Sequence, residues 1–289
     1  MKLALAIDIG GTKISNTIVD ENGKIVDKIE KHSTSKTLEG ITNVLKEIIS
    51  KYESKVDVIA IATAGAVNNE NTKVVSSTGN LPKGYNEIDF QSFSNKKVFL
   101  ENDANAAAWA EHILGASKGA KNSVMATLGT GVGGGIILND TLFKGKSGAA
   151  GEMHFKMYSD NRRKCTCGSW DCFEAYASGT GLKLTAEELL NNPKVTTYDV
   201  IDGVKNNDKK MVEVFNTWQN HILTGLIGLA NLFDPDCLVL SGSMAEFVDT
   251  KFLENGVNSQ IVTAPTHVYK ATTGNYAGMI GASLLALSK

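Results

Sequence analysis

The feature of the sequence that most constrains the fold is an order of elements that occurs twice. Strand patterns joined by a Gly-Gly turn and an Asn-Gly turn occupy residues 3–8, 13–19 and 24–30. The same order, again with a glycine-rich turn after the first strand, returns at residues 123–128, 133–138 and 141–143. Because one supersecondary unit is repeated, we expect two similar lobes with a cleft between them.

Helices and buried strands alternate after each three-stranded unit. Apolar residues at helical spacing predict helices at residues 38–52, 104–114, 209–233 and 276–287. Short apolar runs predict strands at residues 56–62, 97–100, 237–240 and 268–271. The pattern predicts an α/β fold with largely parallel pairing beyond the repeated units. The expected first lobe spans 1–117 and takes back the terminal helix (275–289), and the expected second lobe spans 118–274.

Charge and hydropathy exclude several classes of partner. The 289 residues include 29 basic and 31 acidic side chains, a net charge of -2. This balance offers no electrostatic basis for binding nucleic acid or an anionic membrane. The apolar start at residues 3–7 is shorter than the core of a signal peptide, and no run approaches the ~18 apolar residues of a membrane span. We therefore expect a cytoplasmic protein that binds small molecules.

Asn102 and Asp103 lie between a predicted strand and a predicted helix. In open α/β sheets, ligands bind beyond the carboxyl ends of the strands, so this polar pair is expected to face a cleft. Asp103 is the candidate for the chemistry. The alternative is that Asp103 only caps the helix that follows it, because aspartate is among the preferred N-cap residues.

Two glycine-rich turns occupy equivalent positions in the repeat. Turns without side chains let backbone amides approach an anion, so both turns are candidates for binding phosphate. A plain hairpin turn is the alternative for either one alone, and neither matches the Walker or the dinucleotide spacing. Together they predict that both lobes hold one polyphosphate. The candidate residues are Asp8, Gly10, Gly11, Thr12 and Lys13 in the first turn, and Gly129, Thr130, Gly131 and Gly133 in the second.

Three of the four cysteines fall within eight residues, at Cys165, Cys167 and Cys172. This spacing is more typical of a metal cluster than of a disulfide framework in so large a chain. A tetrahedral zinc site needs a fourth ligand, and His154 is the nearest upstream histidine. Three unpaired thiols in a loop are the alternative.

These motifs together resemble the ROK family of sugar kinases, within the sugar kinase, Hsp70 and actin superfamily. The resemblance spans essentially the whole chain. It rests on Asp8-Ile9-Gly10-Gly11-Thr12-Lys13, Glu101-Asn102-Asp103-Ala104-Asn105, Leu128-Gly129-Thr130-Gly131-Val132-Gly133-Gly134-Gly135, Gly151-Glu152, and Cys165-Thr166-Cys167-Gly168 with Cys172 and Glu174.

The resemblance implies a two-lobed, ribonuclease H-like fold with duplicated βββαβα units, and phosphorylation of a hexose 6-hydroxyl by ATP. Asp103 would be the general base, and Asp8 is our candidate for holding Mg²⁺ through water. Both glycine turns and Gly242 would bind ATP. The residues implied to hold sugar hydroxyls are Asn80, Asn102, Asp103, Glu152, His154 and Glu174. A homodimer is also implied, with the 209–233 helix as a candidate interface; burial of that helix inside its own lobe is the alternative.

The chain departs from the family pattern at three places. The family usually has Gly-Glu-x-Gly-His, whereas this chain reads Gly151-Glu152-Met153-His154-Phe155. A gapless alignment therefore puts Phe155 at the zinc-ligand position and His154 at the glycine. The family has glycine where Asp171 stands, and its adenine-side Gly-Gly is Ser241-Gly242 here. We expect the last two changes to be tolerated.

The resemblance also implies alternative functions and candidate substrates. The family contains sugar-responsive transcriptional regulators with a helix-turn-helix ahead of the kinase-like part; with Asp8 so near the start, we expect none here. A catalytically dead sugar sensor is disfavoured by Asp103 and the two glycine turns. Residues 106–111, 174–179 and 277–282 look most like bacterial N-acetylmannosamine kinases of sialic-acid catabolism. Glu152, where many of those kinases have histidine, is the glucokinase-like choice, so glucokinase is the alternative.

Overall fold

The structure is a computed structural model that describes residues 1–77, 81–157, 160 and 162–288. In chain order the strands are β1 (Leu3–Ile9), β2 (Lys13–Asp20), β3 (Glu30–Ser33), β4 (Val58–Thr63), β5 (Ala66–Val67), β6 (Val74–Ser76), β7 (Val98–Asn102), β8 (Ser123–Leu128), β9 (Val132–Leu138), β10 (Thr141–Leu142), β11 (Cys237–Ser241) and β12 (His267–Lys270). The α-helices are α1 (Leu38–Tyr52), α2 (Asp103–Leu114), α3 (Glu174–Ala177), α4 (Gly179–Leu190), α5 (Thr197–Lys205), α6 (Lys209–Phe233), α7 (Thr250–Asn258) and α8 (Ala277–Ser288). Short 3₁₀ helices lie at Glu53–Lys55, Tyr85–Glu87, Phe90–Phe93 and Gly274–Tyr276.

The repeat in the sequence becomes two sheets of the same topology. The first sheet has the order β3-β2-β1-β4-β7 and the second has the order β10-β9-β8-β11-β12. In each, the first strand of the repeat pairs antiparallel with the second and parallel with the strand that joins the sheet after the repeated unit, β4 in the first sheet and β11 in the second. The two-lobed α/β fold with duplicated units is thus confirmed. The residue at which one lobe gives way to the other stays a prediction.

Each face of the first sheet has its own helical cover. Every residue of β4 is buried, as expected of a strand covered on both sides. On one face α1 supplies Ile41, Leu45 and Ile48 to a core that includes Leu5 and Ile61. Because successive strand residues point to opposite faces, the alternate positions of β1 and β4 meet α8 on the other side.

Helices α2 and α8 lie between the two sheets and pack closely. A Cβ at Gly281 of α8 would lie 1.7 Å from the carbonyl oxygen of Ala106, so only glycine fits there. On its other side α2 meets β9, where a Cβ at Gly135 would lie 2.5 Å from that of Ala108. The start of α2, which carries Asp103, is therefore fixed by both lobes.

Glu111 joins the two segments that connect the lobes. Glu111 is 1% exposed, and its carboxylate accepts the backbone N–H of Ala116 at 2.7 Å, just after α2. It also accepts the N–H groups of Thr272 and Thr273, at 3.0 and 2.7 Å, just before the last helical segment. One buried carboxylate thus binds both segments that connect the two lobes.

Two expectations about local structure were wrong. The predicted third strand at 24–30 is instead β3, because residues 25 and 29 turn inward to pack on the cluster around Met279. The Asp20 carboxylate accepts the N–H groups of Asn22 and Lys24, which bends the chain away from β2 after a single bridge at Ile25. The polar, glycine-punctuated sequence of residues 63–80 predicts a loop, but its described part contains the small β5–β6 hairpin.

Helix α6 follows the bounds expected from its spacing, but its apolar face is used inside its own lobe. The side chains of Phe215, Trp218, Ile222, Leu226 and Leu229 belong to the core of the second lobe. Burial inside its own lobe, the alternative to a dimer interface, is thus what the structure shows for this helix. Helix α6 therefore offers no evidence for a dimer. In the described part of the chain, no helix combines the length and the apolar character needed to cross a bilayer.

Candidate active site

The β7–α2 junction places two polar side chains at the mouth of the cleft. Asn102, not Asp103, is the N-cap of α2: its Oδ1 accepts the N–H groups of Ala104 and Asn105 at 2.9 and 3.0 Å. Its Nδ2 donates to the carbonyl of Gly65 at 3.0 Å, which leaves one N–H for a ligand. Since Asn102 is the cap residue, the capping alternative for Asp103 is wrong; the Asp103 carboxylate accepts the N–H of Ala104 at 2.9 Å and lines the cavity.

A cavity of about 460 Å³ lies between the lobes and collects most of the candidates. From the first lobe it is lined by Asp8, Asn102 and Asp103; from the second, the residues are Gly129, Gly131, Gly133, Glu152, His154, Glu174 and Gly242. Gly10, Gly11, Thr12, Lys13 and Thr130 lie outside this lining. Asn80 lies outside the described residues. A volume of this size is typical of sites for small ligands.

The pKa values of two carboxyls that line the cavity, Asp8 and Asp103, are raised. Burial raises the pKa of Asp103 to about 6, helped by the negative charges of Asp8 and Glu152 and opposed by the N–H of Ala104. Burial likewise raises the pKa of Asp8 to about 6, against the attraction of Lys13. Two carboxyls that repel each other in a desolvated cleft fit a site that binds a cation and a proton donor.

The raised pKa of Asp103 predicts an acid limb in the activity. A general base works only when ionised, so kcat/KM for the sugar should fall as pH drops through about 6, approaching a tenfold loss per pH unit at lower pH. Above about pH 7 the profile should be flat, because Asp103 is then ionised. Steady-state rates at constant ionic strength, from about pH 5 to about pH 8, give the test. A profile that stays flat down to pH 5 would contradict it.

The second glycine turn is fixed by the segments around it. The N–H of Gly133 donates to Oγ1 of Thr127 at 3.0 Å, and the N–H of Gly179 donates to the carbonyl of Gly129 at 2.8 Å. Gly242 has a φ of 87° and lies against this turn, where a Cβ would come within 2.4 Å of the Leu128 carbonyl oxygen. The glycine of Ser241-Gly242 is thus required, and the serine is accommodated as the end of β11. A second cavity of about 500 Å³, lined by both residues, continues the cleft.

Glu174 links the glycine turn to the cysteine segment. Its Oε2 accepts the N–H of Val132 at 3.0 Å, and its Oε1 accepts Oγ1 of Thr166 at 2.6 Å and Sγ of Cys165 at 3.3 Å. Burial raises the pKa of Glu174, but these donors outweigh burial and the net shift is downward. Glu174 is therefore an ionised acceptor facing the cleft.

The three thiols of Cys165, Cys167 and Cys172 form one group, with sulfur atoms within 4.8 Å of one another. Tetrahedral zinc with Zn–S bonds of about 2.3 Å places sulfurs about 3.8 Å apart, close to the 3.6 Å between Cys167 and Cys172. Hydrogen bonding from the Ser169 backbone lowers the pKa of Cys167 to about 7, which favours a thiolate. The donor set fits zinc. Among the described residues, this group contains three ligand atoms, the three sulfurs. A fourth zinc ligand therefore stays a prediction.

The displaced His154 reaches the cleft while its neighbour does not. Phe155 stacks on Phe173 with ring centroids 4.9 Å apart, in the core of the second lobe. His154 lines the cleft, near enough for its charge to lower the pKa values of Cys167 and Glu174. Both proposed roles of His154, toward a sugar and toward zinc, stay predictions, whereas the ring of Phe155 offers no atom that binds zinc.

Asp171 stands where the resemblance implies glycine. Its φ is 61°, in the left-handed region where glycine is least strained. Here the carboxylate accepts Nε of Arg162 at 2.8 Å and the hydroxyl of Tyr176 at 3.1 Å, and the hydrogen bond from Arg162 lowers its pKa. Aspartate is among the residues that tolerate this conformation, so the substitution fits the loop.

Three contributors to the site were missed in the sequence. Gly65 accepts the Asn102 amide, and Tyr85 binds Oγ1 of Thr63 at 2.8 Å behind the carboxyl pair. Burial raises the pKa of Tyr85, which stays a neutral hydroxyl. Nζ of Lys144 lies 2.9 Å from the carboxylate of Glu101, the residue just before Asn102. The three lie far from Asp103 in sequence, and no local pattern connects them to it.

Known proteins share both the sequence and the fold. The family model of the ROK family matches residues 4–289. A glucokinase of Streptomyces coelicolor is 32% identical over 99% of this chain and 98% of its own length. An N-acetylmannosamine kinase of Haemophilus influenzae is 31% identical over 96% and 93%. The crystal structure of a ROK family glucokinase from Streptomyces griseus, in complex with glucose and AMPPNP, has a TM-score of 0.80 at 29% identity, covering 99% of this chain and 100% of that one. A xylose repressor of Bacillus spizizenii is 30% identical over 84% of this chain, which spans 65% of that protein.

A match over nearly the whole chain, together with the fold and the cleft, settles the class: this chain belongs to the ROK family. It is an ATP-dependent sugar kinase that acts on a hexose, with ATP and Mg²⁺ as the implied cosubstrate and cofactor.

Proposed function

We propose that this kinase transfers the γ-phosphoryl group of ATP to the 6-hydroxyl of N-acetyl-D-mannosamine, with Asp103 as the general base. The observation that carries the proposal is the place of the Asp103 carboxyl. It lies at the start of α2 in a cavity that is also lined by the proposed sugar ligands Asn102, Glu152 and Glu174 and by the second glycine turn. Phosphoryl transfer needs positioning and charge neutralisation more than covalent chemistry, and this arrangement supplies both.

Each side chain has a simple task in this scheme. Asp103 accepts the proton of the 6-hydroxyl as the oxygen attacks phosphorus. Asn102, Glu152 and Glu174 bind the other hydroxyls, with His154 beside them, and Asn80 is proposed by resemblance alone. Backbone amides of the second glycine turn, which lines the cavity, would bind the phosphates, and the first turn is proposed to do so by resemblance alone. Mg²⁺ would neutralise phosphate charge, and Asp8 is the carboxylate proposed to hold it through water.

Support for an N-acetylated substrate comes from the space beside the sugar site. A further cavity of about 780 Å³ shares Glu152, His154 and Glu174 with the central one and extends along the cysteine segment. A substituent on the sugar ring has room there. Glucose stays the second candidate, because Glu152 is the glucokinase-like residue and a glucokinase is as similar to this chain as an N-acetylmannosamine kinase.

The substrate preference is directly testable. We expect kcat/KM for N-acetylmannosamine to exceed that for glucose, with glucose turnover weaker but detectable. ADP release should be followed with each sugar under identical conditions. A tenfold preference for glucose, about 1.4 kcal/mol in transition-state binding, would make glucokinase the better proposal.

We further propose, from resemblance to the family, that the protein is a homodimer. Helix α6 gives no support, because its apolar face is used within the lobe. Light scattering at micromolar concentration should give twice the chain mass of 30.9 kDa, and a monomer mass would contradict the proposal.

A further inference from the structure

A buried ion pair lies directly beneath the proposed catalytic turn. Glu101, the residue before Asn102, is 1% exposed, and its Oε2 lies 2.9 Å from Nζ of Lys144. Lys144 follows β10 of the second sheet, whereas Glu101 belongs to β7 of the first. The ammonium of Lys144 is mostly buried and also donates to the carbonyl of Asn68 at 3.0 Å. The pair therefore joins the two lobes under the cleft.

The other oxygen of Glu101 holds the turn that carries Asp103. Oε1 accepts the backbone N–H of Asn102 at 3.0 Å and Nδ2 of Asn105 at 3.4 Å. Oε2 also accepts Nδ2 of Asn71 at 2.8 Å. One carboxylate thus binds the residue before Asp103 and a residue in the first turn of α2. Any shift of Glu101 would change where the Asp103 carboxyl points.

The Lys144 side of the pair anchors the segment that leads to Glu152. Along this segment Nδ2 of Asn69 donates to the carbonyls of Gly145 and Lys146, at 3.0 and 3.1 Å. Gly148 has a φ of 84° and lies so close to the Val67 carbonyl that a Cβ would come within 1.8 Å of its oxygen. The segment is therefore held on the first lobe at several points before it reaches Glu152.

Stability alone does not account for such a pair. Taking two charges out of water costs several kcal/mol each, and apolar replacements for a buried pair are often as stable. What the pair provides is a fixed distance between two backbone segments, because its geometry is set on both sides by hydrogen bonds. These segments carry the proposed base, Asp103, and a proposed sugar ligand, Glu152.

We propose that Glu101 and Lys144 are positioning residues, and that their ion pair sets the separation of Asp103 and Glu152 across the cleft. Neither touches substrate. The inference rests on the proposed roles of Asp103 and Glu152. Sugar binding and phosphoryl transfer then depend on an ion pair between the two lobes.

The test is a double-mutant cycle of Glu101→Gln and Lys144→Met, with Lys146→Met as the matched control. Lys146 is an exposed lysine in the same segment. Each single variant should raise the sugar KM and lower kcat, with a loss of at least tenfold in sugar kcat/KM and an ATP KM within twofold of wild type. The double variant should lose less than the product of the single losses. Lys144→Arg keeps the charge and should keep the sugar KM within threefold, and Lys146→Met should match wild type.

Three results would overturn the inference. The first is a folded Glu101→Gln or Lys144→Met variant with wild-type sugar kcat/KM. The second is an equal loss toward sugar and ATP, as expected of a merely structural pair. The third result applies if the single variants do not fold. It is a double variant, which leaves no unpaired charge, with the sugar kcat/KM of wild type. Failure of the base assignment itself would appear separately, as turnover by Asp103→Asn, so the two failures are distinguishable.

Discussion

Replacing Asp103 by asparagine should abolish phosphorylation while the sugar still binds. The carboxamide keeps the shape of the side chain and its place at the start of α2, but it cannot take a proton from the attacking hydroxyl. Loss of a general base typically costs ~10² to 10⁴ in rate. We expect kcat to fall by that factor, and the dissociation constant for the sugar, measured by calorimetry, to change by less than about threefold.

Unfolding would not account for this loss. Burial raises the pKa of Asp103 from 3.8 to about 6, so the folded protein binds more protons than the unfolded chain between these two values. The ionised carboxyl therefore destabilises the fold progressively as pH rises from about 4 to about 6, and the cost persists at neutral pH. Asp103→Asn should melt no lower than wild type at pH 7. Wild-type turnover by Asp103→Asn would contradict the assignment of Asp103 as the base.

Removing the metal from the cysteine group should impair sugar use more than ATP use. Zinc held by Cys165, Cys167 and Cys172 would order the loop whose Thr166 donates to Glu174, a proposed sugar ligand. Since metal binding is coupled to the folding of its loop, loss of zinc should raise the sugar KM. By analogy with disrupted supporting contacts at metal sites, we expect about 10- to 100-fold. The ATP KM should change less.

Cys167→Ser tests this through the most exposed of the three thiols. Cys237→Ala is its matched control, because Cys237 is buried on β11 and is not part of the group. Metal analysis should find one zinc per chain in wild type and in the control, and less in Cys167→Ser. Purified protein with full activity and no zinc would exclude the structural role.

The sequence predicted the architecture well where one pattern determines one element. The bounds of α1 and α6 follow from apolar spacing alone, and the repeated strands fix both sheets. Helices α3, α4, α5 and α7 were not predicted. Helix α4 opens with Gly-Thr-Gly, a poor helix former, and α5 and α7 are short and largely polar, so their stability comes from packing on α6 and its neighbours.

At the site, the sequence found side chains but not their relations. Asn102 and Asp103 are both good capping residues, and only the backbone at the β7–α2 junction decides that Asn102 caps. From the sequence, either His154 or Phe155 could be the residue that faces the cleft. The packing of Phe155 on Phe173 decides that it is His154. The Glu101–Lys144 pair depends on how two lobes meet, and no local pattern encodes such a contact.

The most direct measurement is turnover by the purified protein with ATP, Mg²⁺ and a panel of hexoses and N-acetylhexosamines. ADP release should be measured with and without each sugar, and the product identified by phosphorus NMR. We expect release that depends on sugar, one phosphate transferred per ADP, and phosphate on the 6-oxygen, with N-acetylmannosamine the best acceptor. No sugar-dependent ADP release with any member of the panel, or phosphate on another oxygen, would contradict the proposed function.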